Sequence, residues 1–191
     1  MLTPLRAAAV ASLLAAASCS DSGDPGTGFV VTGTIQNNTG APIPANTRLL
    51  VVWVVTSGDP DHSYVFGHGT INEAAGTFQI QLDQPPPAQA LNTGGLGVGI
   101  IVATTDQTIG DGSDATDVSA DVVGAAGRYG VIYIGQNNIQ DPQWASGFDS
   151  GYGVGVGVDV TDDFDRFEPT SASSVVLIID DLANIDFVNW T

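Results

Sequence analysis

The chain has 191 residues, with 21 acids, four arginines and no lysine, for a formal net charge of −17. Such a surface repels phosphate backbones and anionic headgroups, which excludes nucleic-acid binding and electrostatic docking on a membrane. Apolar residues make up 43% and fall in organised runs, which excludes a disordered acidic chain. Nineteen of the acids are Asp; only Glu73 and Glu168 are Glu. That bias is a turn signature, because Asp bonds its own backbone. Solubility, a saline habitat and calcium binding are three readings of the charge itself.

In chain order, Arg6 is the one side-chain cation ahead of an apolar run over 7–17. Eleven residues are too few to span a bilayer of ~30 Å, which takes about 20. A short cationic start, a short apolar stretch and small residues at its end read as a secretory signal over 1–18. The small residues run directly into Cys19, the only cysteine. Ala16-Ala17-Ser18-Cys19 resembles the lipobox of bacterial lipoproteins, with Ala16 where that family usually carries Leu. The resemblance implies cleavage before Cys19 and acylation of its thiol, so Cys19 is the expected lipid attachment site. Ser20 is not the Asp that marks inner-membrane retention in enteric lipoproteins, which favours the outer membrane. The alternative is an ordinary signal cut near Ala17 or Ser18, leaving a free thiol in an oxidising compartment. Residues 19–28 continue as a Ser/Asp/Gly/Pro stretch with nothing to bury, a flexible tether. Residues 29–191 are then one domain.

Residues 29–35 (FVVTGTI) read as a first strand, closed by the turn Asn37-Asn38-Thr39-Gly40. Residues 47–56 are almost continuously apolar and predict a central strand covered on both faces. Residues 63–71 form a third candidate. Residues 77–82 alternate cleanly, with Phe78, Ile80 and Leu82 on one face. Across roughly 30–82, Gly40-x-Pro42-Ile43-Pro44 followed by Gly76-x-Phe78-x-Ile80-x-Leu82 is similar to the start of carboxypeptidase-regulatory-like and transthyretin-like domains. That likeness implies an Ig-like antiparallel β-sandwich and no particular activity. The stretch between Thr56 and Gly76 departs from it by an extra hairpin.

Residues 96–104 predict another strand. Residues 114–127 are the one helical window: Asp114 or Thr116 caps it, Val118, Val122 and Ala125 share a face, and Gly127 stops it. Residues 129–134 and 174–179 are further strands. In 151–160 (GYGVGVGVDV) Val154, Val156, Val158 and Val160 share one face, expected in the core. The opposite glycine face admits either packed aromatics or a ligand. The fold expected is therefore mainly β, a sandwich of this kind with one short helix.

The chemistry-bearing residues are few. His62 and His68, six apart on a strand, share a face but lie about 20 Å apart, so they hold a metal together only if the chain turns between them. Neither a Gly-x-Ser-x-Gly elbow nor a second cysteine offers a nucleophile. Two acid clusters suit calcium in type: Asp111, Asp114 and Asp117, and then Asp159, Asp162, Asp163, Asp165 and Glu168; neither has EF-hand spacing. Glu168, between Phe167 and Pro169, is the nearest approach to a glycosidase acid. Trp144, Phe148 and Tyr152 lie in a Gly-rich stretch, either stacking on sugar or plugging the core.

These observations assign no catalytic, cofactor-binding or metal-ligating residue. They favour a lipid-anchored envelope protein of the outer membrane or cell surface, a non-catalytic binding or structural module that touches the membrane through its lipid alone. Its ligand would be a carbohydrate or a protein. The alternative is a secreted hydrolase acting on envelope or environmental polysaccharide.

Overall fold

The computed structural model describes residues 28–54, 63–92, 94–115, 121–135, 145–160 and 165–189. Among the described residues there are ten strands: β1 (Phe29–Asn37), β2 (Arg48–Val54), β3 (Ser63–Asn72), β4 (Thr77–Leu82), β5 (Leu96–Thr104), β6 (Val122–Ala125), β7 (Tyr129–Ile134), β8 (Gly151–Asp159), β9 (Asp165–Thr170) and β10 (Val175–Ile179). They form one hydrogen-bonded sheet in the order β2-β3-β4-β1-β10-β6-β5-β7-β8-β9, and β2 also pairs with β5. That last pairing closes β2, β3, β4, β1, β10, β6 and β5 into a seven-stranded barrel. The mainly β expectation holds. In place of two facing sheets, however, the strands form one sheet that curls on itself and so removes most of its edges.

Closure works because β5 shares its second edge. Its C-terminal half, from Val102, pairs with β6, and its N-terminal half, Leu96 to Gly99, pairs with β7. β7, β8 and β9 therefore leave the barrel as an antiparallel ribbon. β1 and β10 are parallel neighbours; the other pairings are antiparallel.

The barrel interior is filled by alternate side chains, as small barrels require. Val31, Leu49, Val51, Trp53, Phe78, Ile80 and Leu177 are buried there. β4 shows the expected alternation, with Phe78, Ile80 and Leu82 buried and their neighbours exposed. β2 is covered on both faces, as its apolar run predicts: Leu50 packs outside with Val65 and Ile109, beneath the 105–115 loop. Trp53 is the largest buried side chain, and β5 makes room for it. A Cβ at Gly97 would lie 3.1 Å from the indole, and one at Gly99 would lie 2.5 Å from Val51. The alternation in Leu96-Gly97-Val98-Gly99 thus places glycine inward, where the indole needs space, and Leu96 and Val98 in a second, outer cluster. The indole N–H is satisfied by the carbonyl of Phe66, at 2.7 Å.

A sequence expectation is corrected here. Among the described residues of 114–127 the expected helix is not formed: Val122–Ala125 is strand β6, wedged between β5 and β10, and Gly127 lies in a turn, while 116–120 lie outside the described residues. Adjacent β-branched Val122 and Val123 fit a pleated surface better than a helix, and the gap between two strands supplies both pairing edges. Among the described residues, helical structure is limited to 3-10 turns such as Glu73–Ala75 and Leu182–Asn184. β9 is not among the strands expected from the sequence, which shows there only an acid cluster. Asp165–Thr170 pairs residue by residue with β8.

Candidate functional site

Cys19 lies outside the described residues, as do His62, Asp117, Trp144, Asp162 and Asp163. The described chain begins at Gly28, beside the Phe29 end of β1. Among the described residues, no helix is long and apolar enough to cross a membrane.

The acidic cluster at 159–168 is built around a base from the protein itself. Arg128 sits in the turn between β6 and β7. Its Nη1 donates to Asp165 Oδ2 at 2.9 Å, and its Nη2 donates to Asp159 Oδ1 at 2.9 Å and to the Gly157 carbonyl at 2.7 Å. Asp186 Oδ2 stands 3.6 Å from the same guanidinium. Asp165 is also tied to the C-terminal segment. Its carboxylate accepts the Asn189 N–H at 3.0 Å, and its own N–H donates to the Asn189 carbonyl. The Asn189 N–H is the main influence holding the Asp165 carboxyl below the usual carboxylate range, with Arg128 adding to it against the cost of burial. For Arg128, partial desolvation opposes the charge, but the Asp159 hydrogen bond and the Asp186 and Asp165 charges outweigh it and raise its pKa. Asp159 and Asp165 are thus occupied by a guanidinium where calcium was the metal considered.

The other acids are similarly engaged. Glu168 pairs with Arg166 at 2.5 Å, and both side chains are partly exposed, so Glu168 is not held in the dry apolar pocket that a general acid needs. Asp111 meets His68 Nε2 at 2.7 Å and accepts the N–H of Gly67 at 3.1 Å. Gly67 has φ +107°, a conformation glycine adopts without strain, and it marks the point where β3 changes partners. Before it, Val65 bonds to the 112–113 loop; after it, residues from His68 pair with β4. Of the first acid cluster, Asp111 pairs with the histidine, and the backbone of Asp114 bridges to that of Tyr64. Among the described residues, no group of three His, Cys, Asp or Glu side chains is placed to hold a metal ion.

The aromatic residues are packed rather than laid flat. Tyr152 stacks on Phe29 at 5.4 Å, meets Tyr133 edge-on at 5.0 Å and donates its hydroxyl to the Gln84 carbonyl at 2.7 Å. Burial, with a smaller push from Tyr133, raises its pKa. The glycine face of β8 is also filled. A Cβ on Gly153 would lie 2.8 Å from Phe148, one on Gly155 2.8 Å from Phe167, and one on Gly157 2.2 Å from Val188. Packing, not a ligand, accounts for that face. On the opposite face only Val154 is fully buried, Val156 and Val158 are half-buried, and Val160 is exposed.

Among the described residues, a surface groove has a volume of about 480 Å³. Pro42 and Pro44 from the 39–44 loop, Val122 and Val123 from β6, and Asp180 and Leu182 after β10 line it. Asp180 accepts from Asn184 and from the Asp181 N–H, which hold its carboxyl below the usual range. β1 and β10 are parallel and both end here, so the groove lies at the opposite end of the barrel from Gly28.

Sequence reasoning missed Arg128 as the centre of the acidic cluster. The available signal was weak: a single arginine directly after Gly127 at the entry to a strand, in a chain with only three other cations. No family model, curated protein or solved structure matches this chain.

Proposed function

We propose that the chain is a lipid-anchored protein of a bacterial envelope, held through Cys19 and the tether over 19–28, whose β-barrel serves as a non-catalytic surface-binding or structural module. The observation that carries this reading is the run Ala16-Ala17-Ser18-Cys19 followed by a stretch with nothing to bury, leading directly into β1. Acyl chains bury about 0.8 kcal/mol per methylene, so two or three of them hold a protein at a bilayer without help from its charge. The non-catalytic part is supported by the state of the acids, since Asp111, Asp159, Asp165 and Glu168 each have a partner within the fold. The finer scaffold assignment, transthyretin-like, rests on the Gly40–Pro44 and Gly76–Leu82 patterns. On this reading the groove beside Pro42 and Leu182 faces away from the membrane, at the far end of a nine-residue strand spanning about 30 Å.

The test is expression in a bacterial host, followed by intact mass and fractionation. A mature chain beginning at Cys19 with added diacylglycerol and acyl mass, in the membrane pellet, supports the reading. The Cys19→Ser chain should then move to the soluble fraction. A wild-type chain without lipid mass, equally soluble with or without Cys19, would remove the anchor and with it the envelope assignment.

A further inference from the structure

The groove between the 39–44 loop and the turn after β10 is made of apolar surface and acceptors. Its walls are held in place from outside the groove. Asn37 Nδ2 donates to the Ala41 carbonyl at 2.7 Å, and Glu73 accepts the Ile43 N–H at 3.0 Å, which fixes the loop carrying Pro42 and Pro44. Opposite them, the Asp180 N–H donates to the Val123 carbonyl at 3.2 Å, and Asp181 caps the 3-10 turn that carries Leu182 by accepting the Ala183 N–H at 3.0 Å. The donors around the groove are already engaged. Pro42 and Pro44 have no N–H, and the N–H groups of Thr39, Ala41, Ile43 and Asp181 bond within the fold. Among the described residues that line the groove, the Thr39 hydroxyl is the one side-chain donor, and it goes to Asn37 Oδ1 at 2.7 Å. Acceptors are left over. Asp180 Oδ1 takes the Asp181 N–H and the Asn184 amide, while Oδ2 has only the Asn38 amide, at 3.3 Å. Asp181 gives Oδ1 to its cap, and among the described residues no group donates to its Oδ2.

We propose that this groove binds a lysine side chain and an apolar neighbour presented by a partner polypeptide, with the ammonium between Asp180 and Asp181 and the methylenes on Pro42 and Leu182. A surface with acceptors and no spare donor selects a ligand that only donates, and an ammonium has three N–H groups and no acceptor. Arginine fits less well. Its fork grips a carboxylate through both oxygens, and each of these two carboxylates has one oxygen engaged already. An anion would find carboxylates and no donor. These 191 residues include no lysine, so a second copy does not supply the side chain. The volume of about 480 Å³ lies within the range of about 300–1,000 Å³ usual for ligand sites, and it exceeds what the lysine alone would fill. Pro42, Pro44 and Asp181 are exposed, so the groove is open rather than enclosed, which suits a side chain delivered by a larger chain. The inference deepens the surface-binding reading above and rests on it for a role in the cell.

The test is an amide chemical-shift titration of the isotopically labelled full chain carrying Cys19→Ser, in about 0.15 M NaCl, where long-range attraction to the acidic surface is screened beyond about 8 Å. The probe is the peptide Gly-Leu-Lys-Leu-Gly, acetylated and amidated at its ends, beside versions with arginine, norleucine or Nε-acetyllysine in place of the lysine. The amides of Thr39, Val123, Asp181 and Leu182 should shift with the lysine peptide. Affinity should fall about tenfold or more with norleucine or acetyllysine, which remove a charge-assisted hydrogen bond, and severalfold with arginine. Asp181→Asn, which keeps the capping oxygen, should weaken the lysine peptide by a similar factor. The peptide series on the Cys19→Ser chain does not depend on that variant folding. Equal binding of the lysine and acetyllysine peptides, equal binding of the arginine peptide, shifts spread over the acidic turns at Asp106 and Asp159, or no shift at the groove up to millimolar peptide would each overturn the proposal. The chain tested carries no lipid, so the outcome is separate from that of the anchor: a chain without lipid mass can still bind the peptide, and a lipidated chain can fail to.

Discussion

Replacing Arg128 by Gln tests whether the acidic cluster is a structural clamp, and its cost follows from how its partners are exposed. Asp159 and Asp186 have 83% and 78% exposed side chains, so water replaces the guanidinium there with little loss. Asp165 is different, at 11% exposed. Its carboxylate keeps the Asn189 N–H but loses its cation in a nearly dry position, which costs about 1–3 kcal/mol. The Gly157 carbonyl loses a 2.7 Å bond, about 0.5–1.5 kcal/mol more. The total should be about 2–4 kcal/mol, or roughly 5–15 °C in Tm for a domain of this size. Near-UV circular dichroism follows the melt through the packed Trp53, Tyr133 and Tyr152 cluster. Asp165→Asn in the Arg128→Gln background should recover part of the loss, because the uncompensated charge is then gone. Asp159→Asn alone should move Tm by no more than a degree or two. If Arg128→Gln costs under about 0.5 kcal/mol, or Asp159→Asn costs as much as Asp165→Asn, then burial is not what decides the energetics here and the clamp is decorative.

Three further outcomes follow from the same geometry. Trp53→Ala should cost about 3–5 kcal/mol in urea melts, and Gly99→Val, which drives a side chain into Val51, a comparable amount; the pair together should cost less than the sum, since each change relieves the other, and strict additivity would contradict the space-sharing argument. Tm should rise between 0.1 and 1 M NaCl, as the screening length shrinks from about 10 to about 3 Å and the repulsion of a −17 chain is relieved; a falling Tm would instead make the ion pairs dominant. Asp106, Asp165 and Asp180 have carboxyls held below 3.8, so the stability they contribute is complete above about pH 4 and is lost as pH falls through their lowered values. Urea midpoints at pH 6 and pH 3 check this: Asp165→Asn should show a smaller acid loss than wild type, and an equal loss would remove Asp165 from the account.

Most strands were legible because one face of each is buried and the other is not, which writes a period of two into the sequence. β4 is the plainest case, and β2 announced its double cover by a nearly unbroken apolar run. Alternation does not say whether a sheet closes, however. A sandwich and a barrel both place Val31, Ile80 and Leu49 inside, and the difference lies in β5 offering Val102 to β6 and Val98 to β7 across one strand. β6 was misread for a related reason: four residues are too few to show a period, and the acids before them imitate a helix start. β9 was hidden by its composition. Asp165, Arg166, Glu168 and Pro169 carry no strand signature because strand propensities describe half-buried surfaces, whereas β9 ends a sheet, where Pro and charge are tolerated.

The same residues explain why the site was harder to read than the fold. A chain with 19 aspartates offers carboxylates at every turn, so proximity in sequence carries almost no information about partnership. The scarce resource is positive charge. Arg48 is committed to the carbonyls of Asp106 and Ile109, pinning the loop that covers Leu50 and Val65. Arg128 is committed to Asp159, Asp165 and the Gly157 carbonyl, and Arg166 to Glu168. Every described arginine is thus bound to the protein's own structure, and drawing one away to bind an anion would break a loop cover, a clamp or an edge strand. An acidic ligand would face that cost together with the repulsion of the whole surface. A neutral or cationic partner faces neither, and the groove between Pro42 and Leu182, apolar with Asp180 and Asp181 at its rim, is where such a partner would meet the barrel at least electrostatic cost.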